Sequence, residues 1–368
     1  MGTLADKPGS HREILSQKQK VIVIGAGIIG LTSAIELQEA GYKTEIWAKD
    51  IPGPVSKLAS FWEPFNTDNN KERRVRGEVW GKDTFEVLME GIRQGVQGLN
   101  LVKGLVVFPA ERDAPDWAKA GYVDSFRSMN RTEIDEYAKQ HGINVPGSIR
   151  SGYTVDYPAF DMTVYMEHLM ARYIASGGKM ENSTISDMSE PLSQANIVIN
   201  CSGLGAQKLG DALVYPTRGQ LVKVTRPPGV STIYCDDENP EGMVHIMPQR
   251  DHIMLGGTYE RMDGNMKIST EISVAILDRC IKAMPALAQA RVISEHVGLR
   301  PSRREDDSFR GGIRLERENS GLPADDEMAE ISEKFVVHNY GHGGNGVTYS
   351  WGCAKEVLVI VEEAMRVR

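Results

Sequence analysis

Residues 21–50, VIVIGAGIIGLTSAIELQEAGYKTEIWAKD, constrain the fold more than any other stretch of the chain. Val21-Ile22-Val23-Ile24 is a short apolar run suited to a strand buried on both faces. Gly25, Gly27 and Gly30 follow in G-x-G-x-x-G spacing. The first glycine allows a tight turn, the second lets a pyrophosphate approach the backbone, and the third lets a helix pack closely. Ile29 to Ala40 reads as that helix, with Gly41 as its stop, and Thr44-Glu45-Ile46-Trp47 as a second strand. Asp50, twenty residues past Gly30, is placed to meet an adenosine ribose. Strand, glycine turn, helix, strand and acid in register predict a dinucleotide cofactor, its pyrophosphate held at the helix N-terminus. This unit alone admits either a flavin or a nicotinamide dinucleotide.

At 368 residues the chain exceeds one ordinary core, which predicts two domains. A net charge of −8 argues against nucleic acid or an acidic membrane surface as a partner. No apolar run approaches a membrane span. Cys201, Cys235, Cys280 and Cys353 are scattered without a C-x-x-C pair, which fits a reducing compartment and excludes a cysteine-rich zinc site. The histidines lack H-x-x-x-H spacing, so no metal is expected. Residues 1–20 are polar, lack a secretory apolar core and read as a disordered lead-in.

Beyond the first unit, Lys49 to Thr67 reads as a loop and Arg74 to Val96 as a helix. Residues 101–108 read as a strand pair or a bulged strand, followed by an undivided mixed region to Pro158. Phe160 to Ser176 reads as a helix with a core-facing stripe of Met162, Tyr165, Met166, Leu169 and Tyr173. Ile197 to Gly203 is a second buried strand entering a glycine turn, which predicts that the chain returns to the nucleotide sheet. Strand-like runs fill 213–259, Ile272 to Met284 reads as a helix, and Ser302 to Asp326 as a charged surface hairpin or loop. Lys334 to Tyr340, a glycine turn at 341–346 and a helix from about Val347 to Met365 form a second strand–turn–helix unit. The expected class is α/β: a discontinuous Rossmann-like nucleotide domain with an inserted, largely β (α+β) substrate domain. The expected division is 21–62, 158–212 and 296–368 for the first, 63–157 and 213–295 for the second.

Four motifs make the chain resemble the D-amino-acid oxidase and D-aspartate oxidase family of FAD enzymes, over nearly its whole length from residue 20. They are VIVIGAGIIGL at 21–31, INCSGLGA at 199–206, VGLRPSR at 297–303 and HNYGHGGNGVTYSWG at 338–352. The resemblance implies FAD held by Gly25, Ala26, Gly27, Ile28, Ile29 and Gly30, with Lys49 and Asp50 at the adenosine. It extends the cofactor contacts to Ala59, Ser60, Phe61, Ile185, Cys201, Ser202 and Gly203. In the last loop and helix it adds His342, Gly343, Gly344, Asn345, Gly346, Val347 and Thr348. Arg300 matches the arginine that holds the substrate carboxylate, also beside the flavin, and the Gly344 carbonyl matches the acceptor for the amine.

The implied reaction is oxidative deamination of a D-amino acid by hydride transfer from Cα to flavin N5. Its products are a 2-oxo acid, ammonia and hydrogen peroxide, with O2 as the electron acceptor. The cofactor carries the difficult chemistry, so the protein must orient and desolvate, and no residue need act as a catalytic base. An arginine anchor is well suited, because its planar fork pairs both carboxylate oxygens at any relevant pH.

The chain also departs from the family pattern. His245 stands where a carboxylate-binding tyrosine is usual, and Glu241 where a second tyrosine sits on an active-site lid. In the flavin-facing stretch Leu58-Ala59-Ser60-Phe61-Trp62-Glu63-Pro64, Glu63 adds a carboxylate near the pocket. The arginines and histidine by which D-aspartate oxidases hold a side-chain carboxylate are not evident, with Phe65 and Tyr259 at two of those positions. Neutral or basic D-amino acids are therefore expected over acidic ones. His338 and His342 each read equally as a flavin contact or a self-satisfied turn histidine. The alternatives are a glycine, sarcosine or D-aspartate type amine oxidase, or a catalytically silent flavoprotein. The resemblance implies an intracellular, peroxisomal placement, as in eukaryotic relatives, but the closing Arg366-Val367-Arg368 is no S-K-L type address, which also allows a cytoplasmic one. A homodimer is allowed, and nothing in the sequence fixes it.

Overall fold

The apolar first strand forms as its composition dictates, and it organises one of two sheets. In the computed structural model, residues 19–53, 60–65, 71–304, 312–325 and 333–366 are described. The lead-in before residue 19, Ala59 and residues 367–368 fall outside them. Strands β1 (Lys20–Ile24), β2 (Lys43–Ala48), β7 (Lys179–Asn182), β8 (Ile197–Asn200), β15 (Arg314–Pro323) and β16 (Glu333–Tyr340) form a six-stranded sheet. Its order is β15-β16-β8-β1-β2-β7, parallel throughout except for the β15–β16 hairpin at one edge. Both faces of β1 and β8 are covered, and Val21, Ile22, Val23 and Ile197 to Ile199 are wholly buried. Helix α1 (Ile28–Glu39) packs on this sheet and reaches the last helix through Thr32, whose hydroxyl donates to the Ser350 carbonyl at 3.1 Å.

The second sheet has ten strands. It combines β3 (Ser60–Phe61), β4 (Leu99–Phe108), β5 (Arg127–Asn130), β6 (Ser151–Phe160), β9 (Val214–Thr225) and β10 (Ile233–Asp236) with β11 (Val244–Pro248), β12 (His252–Gly256), β13 (Glu260–Arg261) and β14 (Val292–Arg303). The path runs β13-β9-β12-β11-β10-β4-β6-β3, with β14 on β9 and β5 on β6. One face buries Val222, Ile246 and Leu255 against α3 (Arg131–His141) and α5 (Thr270–Ala283), after α2 (Lys71–Arg93) and α4 (Met162–Ala175) in chain order. The other face contributes Val106, Tyr153, Val155, Tyr157 and Cys235 to the largest core, shared with α1, β1 and the closing helix α6 (Ser350–Arg366). That second face is where a site between the sheets must lie.

Several expectations need correction. Residues 99–108 are one unbroken strand, not a pair or a bulge. Gly104 is there because a Cβ would meet the Tyr157 ring at 2.5 Å. The undivided region to Pro158 contains α3, opened by an Asn130–Glu133 capping box, and most of β6. VGLRPSR lies on β14, which pairs with β9 to Arg303, so a domain border at 296 cuts through a strand. The border at 62 likewise detaches β3, and that at 158 cuts β6. The charged stretch after Ser302 supplies edge strand β15, and the last helix begins at Ser350 after a short 3-10 turn, Gly343–Asn345. All four cysteines are free and buried.

Candidate active site

The β1–α1 turn is defined by backbone contact. Gly25 has φ +106°, and a Cβ on Gly30 would lie 1.9 Å from the Gly25 carbonyl oxygen. Gly27 caps α1 without any side-chain bond, leaving the helix N-terminus to a ligand, with Ala26, Ile28 and Ile29 buried around it. The β8 turn closes on β1, as the Cys201 amide donates to the Ile24 carbonyl at 2.9 Å. Beside it, the Ser202 hydroxyl is buried with no partner among the described residues, and Gly203 has φ +57°. Lys49 and Asp50 follow β2 on the surface, and Ile185 packs against Trp47, whose indole nitrogen is buried without a partner. A pyrophosphate with a flanking ring system fits these features: a glycine cradle with no space for Cβ atoms, a free helix end and orphaned donors.

The C-terminal glycine turn closes the other side. His342 is 4% exposed, its Nε2 has no partner among the described residues, and burial holds it neutral with a pKa near 3. Gly343, Gly344, Gly346 and Val347 follow, and a Cβ on Gly344 would meet nothing within 4 Å. Asn345 and Thr348 clamp the segment after β3. The Phe65 amide donates to Asn345 Oδ1 at 3.0 Å, Asn345 Nδ2 donates to the Phe65 carbonyl at 2.8 Å, and the Thr348 hydroxyl donates to the Glu63 carbonyl at 3.1 Å. Ser60 and Phe61 form β3 against Phe160 and Ala159, with the Phe61 ring 4.8 Å from Tyr157. His338, by contrast, is a structural residue: it bonds Glu318 at 3.1 Å and Asn200 at 3.3 Å within the six-stranded sheet.

Strand register assembles the third wall. Leu221, Gly256, His245, Cys235, Val106 and Tyr153 are successive partners across six strands, so their side chains share one face. Two residues along β9 from Leu221, Gly219 underlies Arg300, and a Cβ there would be 2.3 Å from Nη1. The Arg300 guanidinium donates to the Thr258 carbonyl at 3.3 Å and lies 5.6 Å from the Tyr259 ring centre. Burial lowers its pKa, partly offset by Tyr259, and no carboxylate pairs with it among the described residues. A half-buried guanidinium without an acid can take an anionic ligand.

Glu63 closes this face. The Tyr153 hydroxyl donates to its carboxylate, and burial, opposed by Tyr153, raises its pKa to about 7. His245 pairs with Asp237, whose pKa burial pushes up but His245 and Arg112 hold low. Glu241 is not part of this group; it is exposed and paired with Lys282 at 2.6 Å. Phe65 is exposed beyond the clamp, and Tyr259 stacks on Arg300. No local sequence signal marks Asp237 as part of this group, whereas the alternating YTVDY run of β6 is a signal for Tyr153 and Tyr157.

A glycine cradle suited to a dinucleotide, together with a half-buried arginine that has no acid partner among the described residues, fits a dinucleotide-dependent oxidoreductase. Residues 20–358 match the family described as FAD dependent oxidoreductase, DAO, and the chain belongs to that family. It is 33% identical to a D-amino-acid oxidase of Rubrobacter xylanophilus over 351 residues, 94% of this chain and 97% of that one. It is 32% identical to the D-aspartate oxidase of Homo sapiens over 357 residues, 94% of this chain and 95% of that one. Among solved structures, the fold is similar to glycine oxidase from Bacillus cereus ATCC 14579. The TM-score is 0.71 at 19% identity, covering 94% of this chain and 98% of that one. L-proline dehydrogenase from P. horikoshii gives a TM-score of 0.71 at 14% identity, covering 94% of each. No helix among the described residues is long and apolar enough to cross a membrane.

Proposed function

We propose that the protein oxidatively deaminates D-amino acids, with Arg300 as the anchor for the substrate carboxylate. The observation that carries this is the half-buried Arg300 guanidinium over Gly219, with no carboxylate partner among the described residues. The D-amino-acid oxidases at 33% and 31% identity support the same reading. FAD, when bound, supplies the hydride acceptor and the route for electrons to oxygen.

The chain's own residues bind, orient and exclude water. The β1–α1 turn (Gly25 to Gly30), Ser202 and Gly203 would hold the pyrophosphate, and Lys49, Asp50 and Ile185 the adenosine side. Phe61, His342 and the turn from Gly343 to Thr348 would flank the flavin. Arg300 fixes the acid end of the substrate, and the Gly344 carbonyl accepts from its amine. His342, held neutral, adds no charge beside the ring. Glu63 and His245 border the side-chain space. Glu241, bound by Lys282, is assigned no role.

We further propose a cofactor domain of 21–59, 161–212 and 304–368, with the substrate domain formed by the ten-stranded sheet and its helices. A homodimer and a peroxisomal or cytoplasmic compartment remain proposals, to be read from sedimentation and fractionation. The activity itself is tested by oxygen uptake and peroxide release with D-alanine against L-alanine. Turnover of the D form alone supports it, and turnover of neither overturns it.

A further inference from the structure

Resting on the reading above, we infer that Glu63 makes this active site selective for D-amino acids whose side chain ends in a cation. The first support is position. Glu63 is bonded to Tyr153, which stands in the same cross-strand row as His245, on the face where Arg300 lies over Gly219. Glu63 also faces His245, which stands two strands from β9 in that row, so a long substrate side chain directed from Arg300 across His245 would meet the Glu63 carboxylate.

The second support is the state of the carboxylate. Glu63 is partly accessible as a residue, yet its carboxylate is enclosed, and no lysine or arginine pairs with it among the described residues. The groups facing it are Tyr153 and Tyr157 from β6, Asp237 after β10 and His245 on β11. The His245 imidazole is already taken by Asp237, and Asp237 itself opposes ionisation of Glu63. The third support is Tyr157, which is 0% exposed. Its hydroxyl lies close to Glu63 and Tyr153 but makes a well-aligned hydrogen bond with neither, which leaves its oxygen able to accept beside a carboxylate that has no lysine or arginine partner among the described residues.

An ammonium or guanidinium supplies what is missing. The substrate carboxylate neutralises Arg300, the side-chain cation neutralises Glu63, and a spare N–H reaches Tyr157. A neutral side chain leaves Glu63 to take up a proton, and an acidic one places like charges together. This preference separates the chain from a D-aspartate type enzyme.

The test compares D-lysine with D-norleucine, its near-isosteric neutral counterpart, on the holoenzyme at about pH 8.5, where the lysine side chain is charged. The kcat/KM ratio is expected to favour D-lysine by about tenfold or more, which is the scale of one charge-assisted hydrogen bond. In Glu63→Gln that ratio falls to within about threefold of unity, whatever happens to the absolute rates. In the parent, the ratio grows from about pH 6 to about pH 8.5 as Glu63 ionises. Unreactive probes give the same comparison without turnover. 6-Aminohexanoate should perturb the flavin spectrum at a lower Kd than hexanoate, and should lose that advantage in Glu63→Gln. If the variant does not fold, the parent's ratio, its pH course and the two Kd values decide. Equal ratios in parent and variant, or no D-lysine preference alongside good D-alanine turnover, overturn this inference alone. Failure to oxidise any D-amino acid overturns the reading beneath it.

Discussion

The cofactor cradle and the substrate face are built from different materials. The cradle is main chain: two glycines of one turn, Gly25 against Cys201 and Gly30 against Gly25, are placed where a Cβ would strike backbone. The substrate face is side chain, gathered by register from strands spread between β6 and β14. A backbone site tolerates almost nothing at its close contacts. A side-chain site can be retuned one residue at a time, which is how a family keeps its cofactor and changes its substrate.

The largest effect tests the rigid half. Gly30→Ala puts a methyl 1.9 Å from the Gly25 oxygen, so the protein should purify without yellow colour and with a lowered Tm. Gly344→Ala, whose Cβ meets nothing within 4 Å, should keep the Tm of the FAD-free protein. If both behaved alike, the contrast between the two halves would fail.

Next comes the substrate anchor. Arg300→Ala should retain FAD yet raise KM for D-alanine by about a hundredfold or more, since two charge-assisted bonds of about 1.5–3 kcal/mol each are lost. Arg300→Lys should recover only part of this, because an ammonium cannot make the paired fork. Unchanged steady-state saturation would remove Arg300 from the site.

A smaller effect concerns stability. The Glu63 pKa is raised from 4.5 to about 7 in the folded protein, chiefly by burial. The proton it binds on folding therefore stabilises the native state fully below the unfolded pKa, and that contribution is lost as pH rises through about 7. Glu63→Gln should accordingly match the parent near pH 4 and exceed it near pH 8 by about 1–3 kcal/mol, a few degrees in Tm. Calorimetry at the two pH values would detect it, and an equal difference at both would contradict the buried-acid account. The smallest expected effect is His245→Phe. It leaves Asp237 without the partner that holds its pKa low, so KM should shift less than about tenfold, with its pH dependence between about pH 6 and 9 altered. An identical KM–pH course in parent and variant would take His245 out of the substrate region.

The same division explains what could be read from the residues alone. β1, the glycine turn and α1 are contiguous, and every signal lies within thirty residues. β6 went unseen because Pro158 interrupts its pattern, although that proline pairs with Leu101 and its carbonyl accepts from Trp62. β10 is four residues long and shows no periodicity. Arg300 came from resemblance to a family motif, since nothing local marks it off from Arg303 and Arg304. Tyr153, Tyr157 and Asp237 join Glu63 only through β4–β6 and β10–β4 pairing, which no local pattern encodes. Glu241 was misplaced for a related reason: its loop has no period to fix register, and the Lys282 that holds it comes from a distant helix.

The central claim is that Arg300 presents D-amino acids to a bound flavin. The most direct measurement is the absorbance spectrum of the purified protein before and after anaerobic addition of D-alanine, for the parent and Arg300→Ala. The account predicts a yellow parent that bleaches with D-alanine but not L-alanine, and a yellow variant that does not bleach at the same concentration. A colourless parent that FAD cannot reconstitute, or a variant that bleaches as readily as the parent, would contradict it.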